Sequence, residues 1–433
     1  MGNQPPALRR ALGKWDLTAV GVNQVIGGGI FLMPALIAAQ IGAWSPIGFA
    51  LAGLASLLVV LCFAEVSSRF DTTGGSYLYT RAAFGRFLGF EVGWMQWFAR
   101  VTSQAGIANG IALALGFYWP SMKEGLGRAL LITGLTLLLG YVHSRGIRQS
   151  SWVINAFTIG KLVPLAVFIL VGMYFVDWRR LAPLPAISPG QAFEAGLLLI
   201  FTYGGFDTIS VPAGEATNPK RDLPFAFLST IAVVTLVFTF AQIVAMTTVA
   251  DATKSTTPMA DAALAFMGPL GAVLISVGSL LSMTGNSAGS SLSGSRMLFA
   301  LGENGELPPF FARVHPVYRT PANAIWFTTA VALALAFSGS FGLLTAASAF
   351  ARLVTYVGVS LATLRLRSPK FNDKVQPATF VIPFGAAIPV IALVISLAML
   401  GGASRLQMLV GSIALAAGAA LFFSNDLLRR RRS

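Results

Sequence analysis

Apolar residues fill this chain in long uninterrupted blocks, not in the alternating or one-faced patterns of water-facing elements. The blocks lie at residues 15–40, 46–68, 85–116, 128–142, 152–176, 191–214, 225–249, 268–300, 322–338, 343–364, 379–400 and 406–424. A helix needs about 20 apolar residues to cross the hydrocarbon of a bilayer. The pattern therefore predicts about twelve transmembrane helices, short connections and almost no soluble domain. Two blocks carry interruptions that a plain spanning helix avoids. GVNQVIGGGIFLMP, residues 21–34, places Gly27, Gly28 and Gly29 at mid-block, and LIFTYGGFDTISVPAGE, residues 199–215, places Gly204 and Gly205 there.

Backbone N–H and C=O groups cannot face lipid unpaired, so an unwound stretch survives only inside protein or along a cavity. Helices 1 and 6 are thus expected to be discontinuous. Gly27 and Gly204 stand 177 residues apart, and Pro34 and Pro212 stand 178 apart. Five helices, an odd number, fit between the breaks, so the two halves insert with opposite orientation. The expected fold is all-α, with twelve transmembrane helices in a five-plus-five inverted repeat within one domain, residues 1–433. Helices 1–5 form the first repeat over 14–176, helices 6–10 the second over 191–365, and helices 11–12 follow at 379–424.

Composition agrees with lipid as the main solvent. The chain has 433 residues, 55% hydrophobic and 11% charged, with mean hydropathy +0.73. The first apolar block is too long for a cleavable signal peptide. With the N-terminus inside, 21 basic residues fall in inner segments, among them Arg9, Arg69, Arg145, Lys374 and the Arg429–Arg432 tail. Only 6 fall outside, including Lys123, Arg179 and Lys254. That bias predicts both termini in the cytoplasm of a multi-pass inner or plasma membrane protein. The net charge of +14 lies mostly in those inner segments, which suits anionic lipid and not nucleic acid. One cysteine, Cys62, excludes a disulfide framework, and His143 and His315 are too far apart for a metal cluster or a Ser-His-Asp arrangement. No catalytic residue, metal or cofactor is expected, and the chain does not read as an enzyme.

Paired interruptions in corresponding helices of two inverted halves mark a transporter's binding site. Unwinding exposes N–H groups at the start of the outer half-helix, where a carboxylate is stabilised. It also frees carbonyls at the end of the inner half-helix, which suit an ammonium. Two facing breaks can hold both ends of a zwitterion. The plainer reading of glycine in a membrane helix is close packing; three in a row with a matching break favour the site.

At these residues the chain resembles the amino acid–polyamine–organocation (APC) transporters. GVNQVIGGGIF is similar to that family's first-helix motif, and FTYGGFDTISVPAGEATNPKRDLP to its sixth helix and exit loop. FAEVSSRFDTTGGSYLYTRAAFG and SRMLFALGENGELPPFFARVHPVYRTPANAI also match family stretches, so the resemblance covers the whole chain. It implies a substrate site at Val25, Gly27, Gly28, Gly29, Phe201, Gly204 and Phe206, and Ile26 and Asp207 beside them are further candidates. N–H groups of the three glycines would hold the carboxylate, and carbonyls of Val25, Phe201 and Gly204 the α-ammonium. Phe206 would cap or line the side-chain pocket. Gly28 replaces the usual Ser or Ala and offers no hydroxyl.

Three cations lie inside helices. Lys161 either snorkels to the inner interface or, as the resemblance implies, replaces a sodium ion between helices 1, 5 and 8. In the second role it would donate to carbonyls near Val22 and Asn23 and to small polar residues of helix 8. An ammonium able to lose its charge at that depth makes a proton the expected coupling ion. Gln96, Arg100, Ser103 and Gln104 share one face of helix 3 and must point inward. Asp207 is the expected partner of Arg100, as a structural ion pair or within the pocket, with Gln104 beside it. In helix 8, Asn286, Ser287, Ser290 and Ser291 are candidates for pocket or Lys161 contacts. Arg352 in helix 10 is expected to be a buried structural partner of a group that sequence does not identify.

The expected function is sodium-independent, proton-coupled secondary active transport of an amino acid by alternating access. An amino acid or polyamine exchanger without ion coupling, and a sensor that binds without transport, stay open. The partners are the amino acid, a proton and membrane lipid; the oligomeric state is left open.

Overall fold

The computed structural model describes residues 8–249, 257–339, 341–371, 373 and 375–430. Lys254, Lys374, Arg431 and Arg432 of the charge pattern lie outside these, as does the side chain of Phe201. The regular structure of the described residues is helical. In chain order the helices are α1 (Lys14–Val25), α2 (Gly29–Ile41), α3 (Ser45–Ser67), α4 (Ser76–Phe84), α5 (Arg86–Tyr118), α6 (Gly125–Ser144) and α7 (Ile147–Tyr174). There follow α8 (Pro189–Thr202), α9 (Pro219–Thr248), α10 (Pro258–Glu303), α11 (Ala322–Ser338), α12 (Phe341–Leu366), α13 (Ala387–Gly401) and α14 (Arg405–Arg430). Among the described residues seven helical stretches are long and apolar enough to cross a membrane, and α11 and α13 are apolar but shorter. The chain is a multi-pass membrane protein.

Local chemistry sets several boundaries. Gly13 caps α1, and its N–H donates back to Asp16 Oδ2 at 2.9 Å. The other Asp16 oxygen accepts from Ser151 Oγ and Asn155 Nδ2, both at 2.6 Å, which ties the start of α1 to α7. Gly268, at φ 68 and followed by Pro269, kinks α10. The block expected as helix from 379 starts only at Ala387, because Pro383 intervenes and Phe384 and Gly385 take φ 61 and 60. Gln242 of α9 ties α2 to α9 by donating to the Pro34 carbonyl at 3.2 Å.

The core is built around the interrupted segments. α5 packs against both α10 and α12, α3 lies along α9, and α1 touches α7, α9 and α10. A 3₁₀ stretch, Phe206–Glu215, follows α8. It packs on α1, whereas α8 packs on α2, so the two interrupted segments run antiparallel. Both ends of the described chain close on the connection between α3 and α5. Arg10 donates to the Asp71 carbonyl at 3.4 Å, and Arg86 pairs with Asp426 at 3.2 Å.

Candidate functional site

The first helix stops at Val25 and restarts at Gly29. Its carbonyls do not reach lipid, because other elements supply donors. Lys161 of α7 is fully buried and its Nζ donates to the carbonyls of Ile26 at 2.6 Å, Asn23 at 3.3 Å and Ser282 at 3.3 Å. Ser282 Oγ donates to Ile26 O at 2.8 Å and Gly27 O at 3.0 Å. Asn286 Nδ2 donates to Gln24 O at 2.9 Å, and Gln24 Nε2 returns a bond to Asn286 O at 2.6 Å. The break is thus bound to α10 from both sides.

Two details differ from the sequence reading. Ser282, one turn ahead of Asn286, contacts Lys161, while Asn286 and Ser290 bond Gln24 instead. The Gly27 N–H, expected to hold a carboxylate, donates to the Val25 carbonyl at 2.9 Å. That bond engages the Gly27 N–H and one lone pair of the Val25 carbonyl, and the Ile26 carbonyl accepts from both Lys161 and Ser282. What remains for a carboxylate is the start of α2. The first N–H groups of a helix have no partner four residues back, and here Gly28 and Gly29 are partly exposed.

The second break lies between Thr202, where α8 ends, and Phe206. Gly205 turns it at φ 126, a conformation that side chains disfavour. A Cβ there would lie 2.6 Å from Gln24 O, so the two breaks meet backbone to backbone. The Gly205 N–H donates to Tyr356 Oη at 3.1 Å. α8 ends at Thr202, just past Phe201, and Gly204 is partly exposed. Phe206 is buried at 2% exposure, stacked on Tyr356 at 4.9 Å and edge-on to Phe63 at 5.5 Å. It sits in an aromatic cluster behind the glycine rim.

Arg100 and Asp207 are both fully buried and paired at 2.5 Å. Arg100 also donates to Thr208 Oγ1 at 2.7 Å and Gln24 Oε1 at 2.9 Å, bridging the two breaks. Asp207 further accepts from Gln96 Nε2 at 3.3 Å and Tyr356 Oη at 3.3 Å. Gln104, one turn beyond Arg100, is buried with neither amide atom hydrogen-bonded. It precedes Ile107, which packs with Met283, the residue that a Gly28 Cβ would meet at 3.3 Å. Arg352 borders a cavity of about 10 Å³ with Gly204, Ile200 and Tyr356. Tyr356, Ser282 and Gln24 escaped the sequence reading. A tyrosine in an apolar helix and a serine among many carry no distinguishing local signal.

The site offers hydrogen bonds and charge at the meeting of two helix interruptions inside a multi-pass helical protein. That is the chemistry of a membrane transporter, which holds a polar solute without changing it, and not of an enzyme. Residues 12–422 match the amino acid permease model, and the chain belongs to that family, within the APC superfamily. It is similar to the methylthioribose transporter of Bacillus subtilis strain 168, at 29% identity over 402 residues, 89% of this chain and 87% of the relative. The serine/threonine exchanger SteT of the same organism is 29% identical over 413 residues, 93% and 92% of the two chains. Its branched-chain amino acid permease BcaP is 27% identical over 430 residues, 90% and 87% of the two chains.

Proposed function

We propose that this permease carries an amino acid across the inner or plasma membrane by alternating access, without sodium and coupled to protons. Twelve spans, a five-plus-five inverted repeat and both termini in the cytoplasm complete the reading. The antiparallel pairing of the interrupted segments and the shared position of the two chain ends support it. The substrate carboxylate sits on the N–H groups of Gly28 and Gly29 at the start of α2. Its ammonium sits on the carbonyls of Phe201 and Gly204.

The observation that carries the proposal is the contact of the breaks, Gly205 against the Gln24 carbonyl, with Gly28, Gly29 and Gly204 partly open beside it. Lys161 supports sodium independence, because its ammonium already occupies the Asn23, Ile26 and Ser282 carbonyls. Exchange without ion coupling is the second reading, favoured by the serine/threonine exchanger among the relatives. Uptake of labelled amino acids into proteoliposomes tests both. Proton-coupled transport fills empty vesicles faster under an inward proton gradient and ignores sodium. Exchange requires preloading and ignores the gradient. Sodium-dependent uptake, or binding without any flux, overturns the proposal.

A further inference from the structure

Around the two breaks the charges do not balance. Arg100 is neutralised by Asp207, and Lys161 is satisfied by three carbonyls. Arg352, at mid-length in α12, has neither. Among the described residues no carboxylate pairs with it. One terminal nitrogen reaches Ser103 Oγ at 3.4 Å, and its Nε is buried without a hydrogen-bond partner. Asp207 is shared rather than dedicated: its oxygens accept from Arg100, Gln96 and Tyr356, and its single charge faces both Arg100 and Arg352. A guanidinium keeps its proton at physiological pH. Inside a membrane such a charge is costly unless it faces a polar cavity or an anion.

Arg352 borders the second break. It shares its cavity with Gly204, on the open rim of the second break, and with Tyr356, whose hydroxyl holds the Gly205 N–H. Among the described residues at the breaks, Arg352 is the cation with neither a salt bridge nor a full set of acceptors, and it lies beside Gly204, one of the residues proposed to hold the substrate. A carboxylate arriving with the substrate would take the planar fork of donors in two parallel bonds. A cationic side chain would add a second positive charge beside the α-ammonium already placed on the Gly204 carbonyl, whereas a second carboxylate would offset both that ammonium and the guanidinium. A neutral side chain would leave the guanidinium as unsatisfied as it is now.

We infer that Arg352 is the specificity-determining residue of the site and selects acidic amino acids, binding their second carboxylate and excluding cationic amino acids and polyamines. The inference rests on the proposed site at the two breaks and adds the substrate class.

The test is uptake of labelled glutamate and labelled serine by the full-length protein in proteoliposomes, with lysine and spermidine as competitors. Wild type is expected to use glutamate about tenfold or more efficiently than serine, unaffected by either competitor. Arg352→Gln should lose about tenfold or more on glutamate while serine stays within about threefold, and should become sensitive to lysine. A wild type without preference for glutamate, or an Arg352→Gln variant that keeps it, overturns the inference. So does serine uptake that needs chloride and loses that need in Arg352→Gln, since the anion would then be inorganic. If Arg352→Gln is not recovered folded, Arg352→Lys replaces it. A raised KM for glutamate with serine unchanged supports the inference, and an unchanged KM overturns it. Gly28→Leu separates the two levels: should it transport both amino acids normally, the site at the breaks is wrong, whatever Arg352 does.

Discussion

The Lys161 ammonium donates to the carbonyl oxygen of Ile26 at 2.6 Å, the peptide just ahead of the three glycines. With Asn23 and Ser282 as further acceptors, one side chain of α7 holds the frayed end of α1 against α10. Any movement of α1 during transport must keep or break these bonds.

Lys161→Met keeps an unbranched side chain of similar bulk and removes the donor. Buried carbonyls that lose their partner cost about 1–3 kcal/mol each, and Ser282 Oγ still serves Ile26. A lower melting temperature is expected, together with a more than about tenfold loss of uptake and a flattened dependence on pH. Initial rates across a series of external pH values check this. A pH profile like that of wild type would remove Lys161 from coupling.

Gly28→Ala and Gly28→Leu should differ sharply. A Cβ at Gly28 meets only the flexible Met283 side chain, at 3.3 Å, so alanine fits with a small adjustment. The longer leucine side chain fills the space before the first N–H groups of α2. Leucine should abolish stabilisation by ligand while the protein stays monodisperse, and alanine should keep it. Melting temperatures with and without millimolar amino acid read this out, because ligand stabilisation follows mass action. Full ligand stabilisation in the leucine variant counts against the site.

Gly205→Ala tests the contact between the breaks. It forces a side chain into φ 126 and puts Cβ 2.6 Å from a backbone oxygen that cannot rotate away. A loss of about 1–3 kcal/mol is expected from the backbone strain, and more if Gln24 must shift. Equal melting temperatures for variant and wild type would show that the segments can part without cost.

Asp207→Ala leaves the Arg100 guanidinium buried and unpaired, at a cost of about 3–5 kcal/mol. Replacing both partners, in Arg100→Met with Asp207→Leu, should recover much of that stability, since an apolar pair demands no compensation. The same comparison applies to Arg296 and Glu215, both fully buried and joined at 2.9 Å. Melting curves of the two singles and the double decide. A double variant no more stable than Asp207→Ala would mean that Thr208 and Gln24, and not the charge pair, carry the Arg100 interaction.

Much of the architecture was legible because its causes are local. Long apolar runs become helices in lipid wherever they occur, and glycines stop them wherever they cluster. Inward-facing Arg100 and its pairing with Asp207 also followed, since a charge at that depth needs an opposite one and few are present. The site was less legible in its donors and acceptors. Gly27 and Val25 look equivalent to Gly28 and Phe201 as backbone, yet the Gly27 N–H closes on Val25. The adjoining Ile26 and Gly27 carbonyls are bound by Lys161 and Ser282, from helices far away in the chain.

Sequence alone determined that this is a membrane protein of many helices, that two of them are interrupted, and that buried cations must be answered there. Those conclusions need only the solvation of apolar side chains and the weakness of glycine in a helix, both properties of short stretches. Tertiary structure alone decided which oxygen each buried donor meets. Lys161 and Ile26 are 135 residues apart, Tyr356 and Gly205 151, and Arg352 and Ser103 249. Hydrogen bonds act over about 3 Å, so partners that far apart in the chain are set by helix packing and by nothing in their own neighbourhoods.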